Sequence, residues 1–252
     1  MKRTLISSLA VLMLAIVTSS CSIYHPQAVD IPLINHAEDA RIDASVGLSA
    51  WVLPDVFTVN TTVSYGFNDW LAGQVHLNYG GDNVYAQLAP GAYFPLGENA
   101  VFETYAGLGL GGAWRDNLSS EYAREDDTAH YATYDYSGRY LLPFVQGNIG
   151  WHDLTPVHID LAFGLKVGGY FPNFEYRKYD NTGAIVANSQ KFYDKFNLLL
   201  EPQFIFRIGS ENFKFNVKVG FSWLSDMYSD DNASVPFTSD LVTVSTGFTF
   251  SF

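Results

Sequence analysis

Nine ionisable residues sit at alternate positions within segments of extended character: Arg41, Asp43, Glu103, Asp160, Lys166, Glu201, Arg207, Lys214 and Lys218. Five are cations and four are carboxylates, so the chemistry they offer is mutual ion pairing inside an enclosed space. Lys166, Glu201 and Lys218 are expected at similar height on adjacent strands, with Glu201 between the two lysines. Nearer the short turns, Asp160, Arg207 and Lys214 form a second expected cluster, joined from the first strand by Arg41 and Asp43. Residues of catalytic type do not converge in the same way. His76 has no acid close in sequence, His158 and Asp160 lie toward a short turn, and His130 with Asp126 and Asp127 lies in a loop. There is no HExxH, GxSxG or Walker pattern. Gly107-Leu-Gly-Leu-Gly-Gly112 is followed by no helix, which excludes a nucleotide loop. We therefore expect no enzyme, cofactor or metal site. An acidic chain of 26 carboxylates against 14 Lys+Arg excludes a nucleic-acid partner, which needs a basic face. A single cysteine excludes a disulfide framework and any multi-cysteine metal site.

Those charges are positioned by a period of two. Val157, Ile159, Leu161, Phe163, Leu165, Val167 and Phe171 share one face of a strand whose other face carries His158, Asp160, Gly164, Lys166 and Tyr170. Phe213, Phe215, Val217, Val219, Phe221 and Trp223 repeat the scheme opposite Lys214, Asn216, Lys218 and Ser222. Ten such strands are expected, at 41–50, 56–65, 70–79, 83–95, 101–115, 139–152, 158–175, 197–209, 213–226 and 239–252. Connections 67–69, 97–100, 154–156 and 210–212 are short. Those at 116–138, 176–196 and 227–238 are long, as in a membrane barrel. The loop 116–138 carries Glu121, Glu125, Asp126, Asp127 and Asp135 among Tyr122, Tyr131, Tyr134 and Tyr136. It and the other two long loops are the expected contact surface for an extracellular ligand or protein. Inward Gly107, Gly109 and Gly111 leave room for Tyr85, Tyr93 and Tyr105 to cover them.

Which face is apolar outside decides the class. Nine charges in the core of a soluble barrel would be very costly, at several kcal/mol for each unpaired ion. A polar lumen lets them pair, with lipid around the apolar face. Trp70, Tyr79, Phe94, Trp114, Trp151, Phe171, Phe213 and Trp223 lie near strand ends on that apolar face, as an interfacial belt requires. The expected fold is all-β: a ten-stranded antiparallel up-and-down transmembrane β-barrel over residues 40–252.

Ahead of it, residues 1–20 read as a signal peptide: Lys2 and Arg3, then the apolar run Leu5–Val17, then small residues. Without Lys2 and Arg3, 12 cations face the same 26 carboxylates, a mature charge of about −14. Thr18-Ser19-Ser20-Cys21 resembles the lipobox of bacterial lipoproteins, which implies a lipid-modified Cys21, although Thr18 stands where Leu is usual. Residues 21–39, with Pro26 and Pro32, are then expected to form the lipid-anchored tether.

The closing strand alternates Phe248, Phe250 and Phe252 with Gly247, Thr249 and Ser251. A terminal Phe there resembles the signal that outer-membrane barrels present to their insertion machinery. With the leader, Cys21 and this strand, the chain resembles the small outer-membrane barrels of Gram-negative bacteria, the OmpA/OmpX-like class. That resemblance implies an outer-membrane location, lipid and the insertion machinery as partners, and a structural or surface-interaction role. Alternatives are a narrow pore for small solutes, an outer-membrane hydrolase, or a soluble ligand-binding barrel.

Overall fold

The computed structural model describes residues 22–24, 31–50, 54–123, 129–180, 183–193, 196–225, 238–239 and 242–252. The strands that alternation predicts are present: β1 (Ala40–Ala50), β2 (Pro54–Gly66), β3 (Leu71–Gly80), β4 (Asn83–Pro95), β5 (Ala100–Ala123), β6 (Ala129–Trp151), β7 (Asp160–Tyr179), β8 (Asn197–Gly209), β9 (Phe213–Phe221) and β10 (Val242–Ser251). Each pairs antiparallel with the next. The circle closes where β10 pairs with β1, Thr249 opposite Asp43 and Phe250 opposite Ile42. Closure leaves no edge among the ten wall strands, so each finds backbone partners on both sides without water, as a bilayer demands.

Burial separates the two faces cleanly. Along β7, Asp160, Ala162, Gly164, Lys166, Gly168 and Tyr170 are buried, while Phe163, Leu165 and Phe171 are exposed. All eight expected belt aromatics are exposed, from Trp114 at 39% to Tyr79 at 61%. Trp70, Phe94, Trp151 and Phe213 mark the short-turn end; Tyr79, Trp114, Phe171 and Trp223 mark the other. From Leu161 to Phe171 on β7, ten steps of about 3.3 Å at a tilt of about 40° give an apolar band of about 25 Å, the height of a hydrocarbon layer. This is the inside-out arrangement of a transmembrane barrel, and it overturns the soluble alternative.

Three expected boundaries need correction. Residues 116–138 are for the most part not a loop: β5 continues to Ala123 and β6 begins at Ala129. Likewise β7 reaches Tyr179, and Ile185–Tyr193 folds back on it inside the expected loop 176–196. The physical reason is shared. Above the lipid the outward face meets water, so outward positions turn polar (Ser137, Glu175, Arg177) while Tyr134, Tyr136 and Phe174 stay buried inside, and the lipid-facing apolar set stops although backbone pairing continues. The third is the last long loop, of which residues 227–237 lie outside the described set. Its end, Thr238–Ser239, does not begin β10 but pairs in parallel with Ser22–Tyr24.

Candidate functional site

The enclosed lumen is the site, and alternation fixes which side chains enter it. All nine expected ionic residues face inward and are buried: Asp43, Glu103 and Arg207 have no exposure, and Arg41, the most open, has 7%.

At mid-height, Lys166 on β7 stands directly opposite Glu201 on β8, with Nζ to Oε2 at 3.4 Å. Lys166 also donates to Gln87 Oε1 at 3.3 Å and lies over the Phe144 ring. Lys218 is not at the height expected for it. Its register partner on β8 is Ile205 rather than Glu201, and its Nζ donates to Asp43 Oδ1. Asp43 accepts in addition from Asn216 Nδ2 at 2.6 Å and from Thr249 Oγ1 at 2.9 Å. The expected cluster of two lysines around Glu201 is therefore two separate pairs. Strand stagger, which no single sequence prints, sets the difference.

Toward the short turns Asp160, Arg207 and Lys214 do come together, but the expected Arg41 and Asp43 do not join them, pairing instead with Asp39 and Lys218, and Asp153 with its two histidines takes their place. Lys214 Nζ donates to Asp160 Oδ1 at 2.6 Å and to Asp153 Oδ1 at 2.9 Å. Arg207 Nη1 lies 3.9 Å from Asp160 Oδ2. Asp153, in the β6–β7 turn, is flanked by His158 at 2.8 Å and His152 at 3.2 Å. Partial burial pushes its carboxyl up, but hydrogen bonds from Lys214, His158 and His152 outweigh that and hold it well below the usual carboxylate range. Arg41 is 3.5 Å from Asp39. Glu103 is held by neutral donors: Asn148 Nδ2 at 3.1 Å, the Tyr105 hydroxyl at 3.3 Å and the Ile34 amide at 2.8 Å.

That last contact belongs to the feature sequence reasoning missed. Residues 31–34, expected as part of the tether, lie inside the barrel. Ile31, Leu33 and Ile34 are fully buried inside the barrel, and the Ile31 carbonyl accepts from Arg207 Nη2 at 2.6 Å. Gly164 and Gly150 make the space: a Cβ on them would stand 2.9 Å from Ile31 Cδ1 and 2.6 Å from Leu33 Cδ2. Leu33 adopts φ 59°, a left-handed conformation costing about 1–2 kcal/mol that surrounding contacts must offset. Higher up, the Tyr24 hydroxyl donates to Glu201 Oε1 at 2.6 Å. Its ring packs edge-on to Tyr140 and Tyr170, with centroids 5.6 and 5.1 Å away. The signal available was the run Ile31-Pro32-Leu33-Ile34, too apolar for a solvated linker.

Aromatics fill the β4–β8 side. Tyr85 covers Gly109 as expected, but Gly111 is covered by Tyr140 and Gly107 by Phe144. Tyr105 sits on Gly91, and Tyr93 reaches the Asn68 carbonyl at 2.6 Å. Of the expected histidines, His76 is buried against Thr62 at 2.9 Å and His158 meets Asp153 rather than Asp160. Cys21 and the His130 side chain lie outside the described residues. Phe248, Phe250 and Phe252 are all exposed on the lipid face.

The class these features define is a closed ten-stranded transmembrane β-barrel with an ionic, chain-filled lumen. No protein-family model matches the chain, and no curated protein matches it in sequence. Among solved structures it is similar to the NanC porin at 12% identity, covering 86% of this chain and 100% of that one with a TM-score of 0.34. It is also similar to OmpT, an outer membrane protein of Vibrio cholerae, at 10% identity, covering 91% and 99% with a TM-score of 0.21. Likenesses this distant transfer no activity.

Proposed function

We propose that this chain is a non-conducting, non-enzymatic outer-membrane barrel with a structural or surface-interaction role, sealed by its lumen ion pairs and its own N-terminal segment. The observation that carries this is the burial of the nine inward charges, none more than 7% exposed and Asp43, Glu103 and Arg207 at 0%. A continuous aqueous channel past them would leave these polar groups accessible. The reading includes the likeness to OmpA/OmpX-like barrels, acyl modification at Cys21, insertion through the Phe248–Phe252 strand, and contact through the long hairpins. The β5–β6 and β7 hairpins stand clear of the apolar band. There, Asp116, Asp135, Ser137, Glu175 and Arg177 line an open cavity of about 190 Å³ together with Tyr136 and Tyr176.

Planar-bilayer recording of the purified protein tests this. No open-channel steps are expected from the unaltered chain. Steps from the unaltered chain would replace this reading with that of a narrow solute pore. Removal of residues 22–34 is expected to open the lumen and produce them.

A further inference from the structure

The N-terminal segment meets the lumen at more than one height, since Tyr24 and residues 31–34 are both buried in it. Three observations place it. Near the short turns, Ile31 is held by Arg207, two residues from the end of β8, and Ile34 by Glu103. At mid-lumen, Tyr24 is held by Glu201, four residues from the opposite end of β8. Beyond that, Ser22–Tyr24 pairs with Thr238–Ser239, in the β9–β10 connection on the long-hairpin side. The six register steps between Glu201 and Arg207 amount to about 20 Å, which the seven residues from Tyr24 to Ile31 can reach when extended.

We propose that the N-terminal segment is threaded through the barrel and presents its leading end, ahead of Ser22, on the outer face of the membrane. The segment is thus both the filling of the lumen and a display arm. Its chemistry fits the lumen at both heights. The side chains of Ile31 and Leu33 fill space left by Gly164 and Gly150 while their backbone meets Arg207 and Glu103 through Ile31 and Ile34, and Tyr24 gives its hydroxyl to Glu201 and packs edge-on to Tyr140 and Tyr170. Taken with the proposed acylation of Cys21, the residue before Ser22, acyl chains there would belong to the outer leaflet rather than the periplasmic one. Threading itself does not depend on that modification.

The test uses intact cells carrying the full chain. A short epitope is inserted between Ser22 and Ile23, at Gly183 in the β7 hairpin, or at Glu98 in a short turn. Each is probed with an impermeant antibody before and after permeabilisation. The Ser22 insert is expected to bind on intact cells as the Gly183 insert does, with no gain on permeabilisation. The Glu98 insert is expected to bind only after it. A Ser22 insert that behaves like the Glu98 insert overturns the proposal. Because the insert could disturb folding, a second variant joins Ser22→Cys and Thr238→Cys in a Cys21→Ser background. A cross-link in the folded, heat-modifiable protein is expected, and its absence in that folded protein also overturns threading. Mass spectrometry that finds no acyl group on Cys21 removes the lipid reading and leaves threading intact.

Discussion

The Asp43–Lys218 pair offers the sharpest measure of how dry the lumen is. Asp43 is fully buried and accepts from Lys218, Asn216 and Thr249, while Lys218 has 2% side-chain exposure. Asp43→Ala removes the carboxylate that Lys218 pairs with and leaves the ammonium in low dielectric. Breaking a buried pair from one side costs about 3–5 kcal/mol. At 1.4 kcal/mol per decade, a loss of about 4 kcal/mol is roughly a thousandfold shift in the unfolding equilibrium. Replacing both partners, Asp43→Ala with Lys218→Met, removes the stranded charge and is expected to recover all but about 1–2 kcal/mol. The coupling between the two sites should then exceed about 2 kcal/mol. Urea unfolding in detergent micelles, followed by emission of the belt tryptophans, measures all three variants. If Asp43→Ala costs less than about 1 kcal/mol and the double variant equals the sum of the singles, then water reaches the pair. The sealed lumen fails with it.

Other consequences are independent of that pair. Because the Asp153 carboxyl is depressed in the folded state, its contribution is present above the ordinary carboxylate value near 4. It is lost as pH falls through the lower folded value, so Asp153→Asn should flatten the acid limb of stability against pH below about 4. Gly111→Leu forces a side chain into the Tyr140 ring and should destabilise by about 1–3 kcal/mol, whereas leucine at Gly81, which has open space around it, should cost far less. Conversion of Leu33 to Gly relieves the left-handed strain but removes a buried side chain, so a net loss of about 1–3 kcal/mol in the same urea assay is expected. Truncation of Phe252 should slow acquisition of the heat-modifiable form while leaving the final lumen contacts unchanged.

The strands and their facing were legible because lipid and lumen impose opposite demands on successive residues. Lys166, Asp160 and Lys214 could be assigned inward from alternation alone. The partner of Lys218 could not, since stagger between β8 and β9 moves it past Glu201 to Asp43. The hairpin above Trp114 also escaped, because its outward face turns polar in water while Tyr134 and Tyr136 stay buried inside, which removes the lipid-facing apolar set that marks β5 lower down. Asp153 was overlooked for a different reason: it lies in a turn, and only closure of the barrel brings β9's Lys214 to it.

Amino-acid order thus settled a ten-stranded wall, its apolar exterior and its ionic interior, all consequences of a two-residue period read along one strand at a time. Tertiary structure alone decided which charges meet and what fills the space between them. Ile31, Leu33 and Tyr24 carry no periodic mark of their own; they find their sites only when Gly150, Gly164, Arg207 and Glu201 are gathered around one axis by closure. Contacts inside the barrel join residues as far apart as Tyr24 and Glu201, 177 positions, or Asp43 and Thr249, 206 positions, and a local pattern has no means of recording separations of that kind.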